Sequence, residues 1–187
     1  MENIEREIIK NMDSIFSAFK KNRTMELRIL ANSIIRKAVK FNNKIMAEQS
    51  VIAYVLHKTL TKEHIISSRL WPKSRAKILK NLELMSLHLK RHEHEKFTSS
   101  LANLHLDLER IDDYFGRFVQ STVDKARIKY AADAYFLGAS LGQAAELLSA
   151  DKKTLLDYIG ATKFYDKEKP SEGIGERLKK LKALLGE

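Results

Sequence analysis

Apolar side chains recur every three or four positions along most of this chain. In residues 2–20 they are Ile4, Ile8, Met12, Ile15, Phe16 and Phe19, with polar side chains between. That spacing predicts a helix with one buried stripe. Asn22 marks its end. Residues 24–41 repeat the pattern with Leu27, Leu30, Ala31, Ile34, Ala38 and Phe41, and Asn42 and Asn43 close it. Residues 45–60 differ. Ile45, Met46, Val51, Ile52, Tyr54, Val55, Leu56 and Leu60 are apolar nearly all round, as in the central helix of a bundle.

A short segment, 64–70, leads to Trp71 and Pro72, where the proline suits the first turn of a helix running on over 73–95. Behind a Thr98 or Ser99 cap, Leu101, Leu104, Leu108, Ile111, Phe115 and Phe118 alternate at threes and fours. This seam reads as the long edge of a bundle in preference to a dimer-forming coiled coil. Gly116 or Ser121 and Thr122 interrupt it. Ile128, Ala131, Ala132, Tyr135 and Phe136 then carry the pattern to Gly138, a C-cap. Residues 1–137 hold one glycine and one proline, Gly116 and Pro72. The fold class expected is therefore all-α, a helical bundle whose long helix leads into a C-terminal unit.

That unit has the grammar of a helix-turn-helix over residues 140–159. Ser140 and Gln143 form a capping-box pair that starts its first helix. Ala144 and Ala145 are small where two short helices must touch. Leu148, Ala150, Leu155, Tyr158 and Ile159 stand at offsets that would close a mini-core. Asp151 is a good N-cap for the second helix, which puts Lys152, Lys153 and Thr154 in its first turn. Such positions meet phosphates and base edges when the second helix enters a major groove. The turn position that favours glycine is Ser149, so the turn forms at some cost in strain. Leu156 and Asp157 fall on the outward part of the second helix and are poor groove readers.

Gly160 stops the second helix. Residues 161–173 read as a linker, and Ile174, Leu178, Leu181, Ala183, Leu184 and Leu185 form a terminal amphipathic helix with Arg177, Lys179, Lys180 and Lys182 opposite. Three regions follow: a basic bundle over 1–124, the helix-turn-helix domain over 125–160, and a linker with a basic tail helix over 161–187.

Charge shifts attention away from the motif. The 187 residues carry a formal +10. Residues 20–44 hold eight basic side chains against one carboxylate, and 58–96 hold ten against four. Residues 139–159 hold two against three. The basic surface thus belongs to the N-terminal half, with Arg36, Lys37 and Lys40 as candidate phosphate contacts. So uneven a distribution favours a polyanion. Few aromatics interleave with the charge, which points to a phosphate backbone in duplex DNA or structured RNA over single-strand stacking.

Catalytic chemistry has no positive sign. There is no cysteine, no phosphate-binding loop, no dinucleotide-binding glycine pattern and no nucleophile elbow. His88, His92 and Glu95 fall on one face of the expected helix over 73–95 but read as solvated surface, and His57, His64 and His105 stand alone. No cofactor and no metal are expected. The N-terminus lacks the look of a signal peptide and the longest apolar run, 51–56, is far short of a membrane span, so a cytoplasmic location is expected.

The run Ser-Leu-Gly-Gln-Ala-Ala-Glu-Leu-Leu over 140–148, then Lys-Lys-Thr-Leu-Leu-Asp-Tyr-Ile-Gly over 152–160, then a linker and a basic amphipathic tail, resembles small uncharacterised archaeal helix-turn-helix proteins. Some of these are similar to antitoxins of toxin–antitoxin pairs. The resemblance covers residues 125–187. It implies operator contacts at Lys152, Lys153 and Thr154, and contacts to a protein partner at Ile174, Leu178, Leu181 and Leu185. Residues 1–124 have no counterpart in a short antitoxin. The expectation is a non-enzymatic nucleic-acid-binding regulator, and a homodimer would supply the second half-site that a single weak one needs. A protein-interaction module, antitoxin-like or associated with RNA or the ribosome, is the reading of a different class.

Overall fold

The computed structural model describes residues 2–115 and 120–162, and every element among them is a helix. In order these are α1 (Glu2–Lys20), α2 (Thr24–Phe41), α3 (Lys44–Leu60), α4 (Glu63–Ile66), α5 (Trp71–Lys90), α6 (His94–Phe115), α7 (Gln120–Phe136), α8 (Leu141–Leu147) and α9 (Lys152–Thr162). The all-α bundle expected from the periodicity is the fold. No helix among the described residues is long and apolar enough to cross a membrane. The tail residues Ile174, Leu178, Leu181 and Leu185 lie outside the described residues.

The turns explain why the chain folds back where it does. After α1, Asn22 takes a left-handed φ of 53°. Its N–H donates to the Phe19 carbonyl, and the Arg23 N–H donates to the Ala18 carbonyl. This paired geometry satisfies carbonyls left over at a helix end. Asn42 repeats it at φ 46°, and the Asn43 side chain then caps α3 by accepting the Met46 N–H at 2.9 Å. Asparagine tolerates this conformation better than most residues, so both breaks are legible in the sequence. His92 does the same at φ 57°.

That histidine corrects the expected helix over 73–95. The helix ends at Lys90, and α6 starts at His94, ahead of the expected Thr98 or Ser99 cap. Those two hydroxyls instead donate back to the His94 and Glu95 carbonyls, each at 3.0 Å. The His92 ring lies 2.6 Å from Glu5 of α1, which anchors the turn to the first helix.

α3 is the central rod. It packs against α1, α2 and α7, and Met46, Ala47, Val51, Ile52, Val55 and Leu56 are all buried. Gln49, fully buried there, donates to the Ile8 carbonyl at 2.8 Å. Burial also holds the His57 pKa below its usual value, and its Nδ1 lies 2.9 Å from the Thr24 carbonyl, so the neutral ring donates there. The seam of α6 is spent inside the chain: Leu104, Leu108 and Ile111 are buried, and α6 packs on α5. This part of the stripe is therefore already covered within the chain, while Phe115 and Phe118 lie outside the residues whose side chains are described.

α7 links the two ends of the fold. It touches α2 and α3 on one side and α8 and α9 on the other. Its Ala126, Ala131, Ala132 and Ala134 are buried, and Tyr130 is fully buried with its hydroxyl 3.2 Å from Asn32. Small side chains on several faces allow this many close neighbours. One continuous core runs from Ile8 to Ile159, and α7 begins at Gln120, so the expected boundary at 124–125 falls inside this helix.

Gly138 ends α7 at φ 104°, and Ser149 ends α8 in the same way at φ 51°. For an L-residue with a side chain, that conformation costs about 1–2 kcal/mol, against roughly 0.5–1 kcal/mol of extra unfolded-state entropy for glycine. Ser149→Gly is therefore expected to stabilise the protein by about 0.5–1 kcal/mol. Urea denaturation would read this as a higher midpoint at unchanged slope. A lower midpoint would show that the serine side chain stabilises the turn in its own right.

Candidate nucleic-acid interface

α7, α8 and α9 form a three-helix unit around a small apolar centre. Ala144, Ala145, Leu147, Leu148, Leu155 and Ile159 are all buried. The capping box is in place: Ser140 Oγ accepts the Gln143 N–H at 3.2 Å and Gln143 Oε1 accepts the Ser140 N–H at 3.0 Å. Ser149 supplies the turn, with the Ala150 N–H donating to the Ala145 carbonyl at 2.8 Å. Tyr158, expected in the mini-core, is instead 37% exposed and faces a groove described below.

The start of α9 is built by Asp151. Its Oδ1 accepts the Thr154 N–H at 2.8 Å and the Thr154 hydroxyl at 2.7 Å. These bonds hold the Asp151 carboxyl below the usual carboxylate range. Thr154 therefore spends its hydroxyl on the cap, while Lys152 and Lys153 are exposed in the first turn, the Lys152 side chain lying along Gly142 of α8. Helical spacing puts Lys153, Asp157 and Gly160 on the side of α9 opposite Leu155 and Ile159.

The motif's own negative charge is partly answered by the bundle. Lys44 of α3 reaches Glu146 of α8 at 2.9 Å and holds the Glu146 pKa down. A second tie is stronger. Arg127 of α7 makes two bonds to the Glu48 carboxylate of α3, the longer at 3.0 Å, and a third at 2.9 Å to the Leu148 carbonyl at the end of α8. Both side chains are more than four-fifths covered. His105 of α6 lies 3.9 Å from the same carboxylate, its Nε2 buried without a hydrogen-bond partner among the described residues. Burial pushes the His105 pKa down, with Glu48 opposing and Arg127 adding to the shift. Four helices thus meet at this junction, which sets how the motif sits on the bundle.

The six expected contact residues do not converge on one patch. Lys152, Lys153 and Thr154 sit together at the start of α9. Arg36 stands on the side of α2 that faces Phe136 and Leu137, at the end of α7. Lys37 and Lys40 stand toward α1, beside Ile4 and Glu7. Lys37 is paired with Glu7, and that pairing holds the Glu7 carboxyl down. Lys40 is exposed with its ammonium 5.4 Å from the Phe41 ring centre.

A different basic set shares a face with α9. Lys58 lies in the last turn of α3 and Lys62 just beyond it, Lys125 and Lys129 lie on α7, and all four line one groove with Thr154, Asp157 and Tyr158. Sequence reasoning missed them as a group. The available signal was the four-residue spacing of Tyr54 with Lys58 and of Lys125 with Lys129, but nothing in the sequence pairs these two stripes.

The pair His88 and His92 does not form a metal site. His88 is mostly covered, with Nδ1 2.8 Å from Glu93, and His92 bonds Glu5. The two do not share a helical face, because His92 is in the turn. Among the described residues no group of three or more His, Cys, Asp or Glu could hold a metal ion.

Compared with known proteins, the chain matches no family model, no curated protein and no solved structure.

Proposed function

We propose that this protein binds nucleic acid without catalysis, as a DNA-binding transcriptional regulator that combines a helix-turn-helix with a basic helical bundle. One observation carries the reading. α9 is seated by its buried Leu155 and Ile159, and its first turn carries Lys153 on the exposed outward side with Lys152 exposed beside Gly142 of α8. A helix held so, with cations at its N-terminal turn, has the disposition of a groove-entering helix whose first residues meet phosphates. Lysines 58, 62, 125 and 129 add positive charge on the neighbouring face. The resemblance of residues 125–187 to archaeal helix-turn-helix proteins supports the same reading. Arg36 and Lys40 would add phosphate contacts from α2.

The alternative is a protein-interaction module, and Leu156 favours it: an aliphatic side chain 56% exposed beside the outward face of α9. In that role the tail residues Ile174, Leu178, Leu181 and Leu185 would also dock on the partner.

Salt dependence separates the two. A protein that neutralises about four phosphates of duplex DNA shows log K falling against log salt with a slope near about −3.6. We expect a slope of about −3 or steeper on duplex DNA between roughly 50 and 200 mM salt, read by fluorescence anisotropy. A steeper slope and tighter binding on structured RNA would move the assignment to RNA. A slope shallower than about −1 on both would overturn nucleic-acid binding.

A further inference from the structure

The groove between α3, α7 and α9 has a character that phosphate contact alone does not explain. It encloses about 680 Å³, within the range of small-molecule sites. Its floor is apolar, formed by Tyr54, Ile128 and Tyr158, one residue from each helix. Each belongs to a stripe at helical spacing, so the groove is a product of how three helices converge. A strip of duplex backbone would have no use for an apolar floor.

The rim is cationic. Lys58 lies with its ammonium 5.4 Å from the Tyr54 ring centre and Lys129 at 5.6 Å, so both charges are held over the floor. Lys129 is also bonded to Asp133 at 2.7 Å, which fixes its position. Lys125 is exposed on the same wall, and Asp124 and Asp157 are the carboxylates of the lining. Cations therefore outnumber carboxylates around an apolar, partly aromatic base.

We infer that this groove binds a small amphipathic organic anion, with a flat apolar body on Tyr54, Ile128 and Tyr158 and an anionic group between Lys58 and Lys125. The apolar body gains by leaving water, and the anion gains charge-assisted hydrogen bonds that a neutral ligand cannot make. Such a ligand touches the bundle and α9 together. By linkage, whatever factor bound nucleic acid changes the affinity for this ligand, the ligand changes nucleic-acid affinity by the same factor. That consequence rests on the function proposed above; the binding itself does not.

The test uses the full chain and two matched probes. 1-Anilinonaphthalene-8-sulfonate supplies a flat apolar body with an anion, and N-phenyl-1-naphthylamine is its uncharged counterpart. The sulfonate is expected to bind one to one with Kd on the order of tens of micromolar, given the usual affinity per atom of ligands this size. Lys58→Glu with Lys125→Glu should weaken it by roughly ten- to a hundred-fold, because two charge-assisted hydrogen bonds can no longer form. The same variant should change the uncharged probe by less than about three-fold. Arg36→Glu with Lys40→Glu, on α2, should leave sulfonate binding unchanged. Amide chemical-shift changes on titration should concentrate at 54–58, 125–129 and 154–158, which checks the location without any substitution. Absence of saturable binding, binding of several probes per chain, shifts elsewhere, or indifference to the groove reversal would each overturn the proposal. None of these results touches the salt slope on duplex DNA, so the two readings fail separately.

Discussion

Arg127→Ala is expected to destabilise the protein by about 3 kcal/mol, more than any exposed charge substitution in the chain. The side chain makes three hydrogen bonds: two to Glu48 and one to the Leu148 carbonyl. Removing it leaves a largely covered carboxylate without its cation and a helix-end carbonyl without its donor. Breaking one partner of a buried pair typically costs about 3–5 kcal/mol, and the residual exposure of this pair places it at the low end. For a chain of this size that is a fall in Tm of roughly 6–12 °C. Replacing both partners by apolar residues of similar length, Arg127→Met with Glu48→Leu, should recover most of the stability, because no charge is then stranded. His105 gives a further sign to check. In the wild type Arg127 helps keep its pKa low. Without Arg127 only Glu48 and Glu109 act on the ring against burial, so its proton affinity rises. A folded-state pKa less depressed than in the wild type costs less stability as the ring is protonated. The variant's deficit should therefore shrink as pH falls from about 7.5 toward about 5.5. Hydrogen exchange would locate the damage, with α8 and α9 losing protection ahead of α1 and α5. A cost under about 1 kcal/mol would show that the junction does not hold the motif in place.

This junction is not legible in the sequence. Glu48, His105 and Arg127 are far apart in the chain, and each looks like an ordinary charged or polar residue on a helix. Local signals carry much more. Asn22, Asn42 and Gly138 declare their turns because few residues tolerate positive φ, and Ser140, Gln143 and Asp151 declare the helix starts of the motif. The His92 turn escapes because the stretch from Met85 to Glu95 holds no glycine, proline or asparagine to mark a break. The segment that matters, between Leu89 and Glu93, reads as continuing polar surface. Apolar periodicity also fails in part at α7. The stripe read there holds at the buried Ala131 and Ala132, but Tyr135 and Phe136 are exposed, and Ala126, Tyr130 and Ala134 are buried because the helix has neighbours on several sides. The lysine-lined groove is invisible for the same reason as the junction: its walls come from helices well separated in the chain.

Reversing charge at the start of α9 is the second large effect expected, and it decides which surface reads nucleic acid. Lys152→Glu with Lys153→Glu should lower duplex DNA affinity at least about a hundred-fold at roughly 0.1 M salt and flatten the salt slope by about 2, one unit for each phosphate no longer neutralised. Reversing Arg36 and Lys40 should cost less. Those two lie one turn apart on α2 as accessory phosphate contacts, and the Lys40 ammonium is already held 5.4 Å from the Phe41 ring centre. Lys37 between them is already answered by Glu7. Fold damage does not confuse the comparison. Glutamates in the first turn of α9 favour the helix, because its N-terminal end carries partial positive charge. Lys152→Glu also loses an attraction to Glu146 of α8, which offsets that gain, so the α9 variant should keep its unfolding midpoint while losing affinity. If the α2 reversal instead does more harm, the bundle is the reader, and the helix-turn-helix is left as the surface that Leu156 and its neighbours offer to a protein partner.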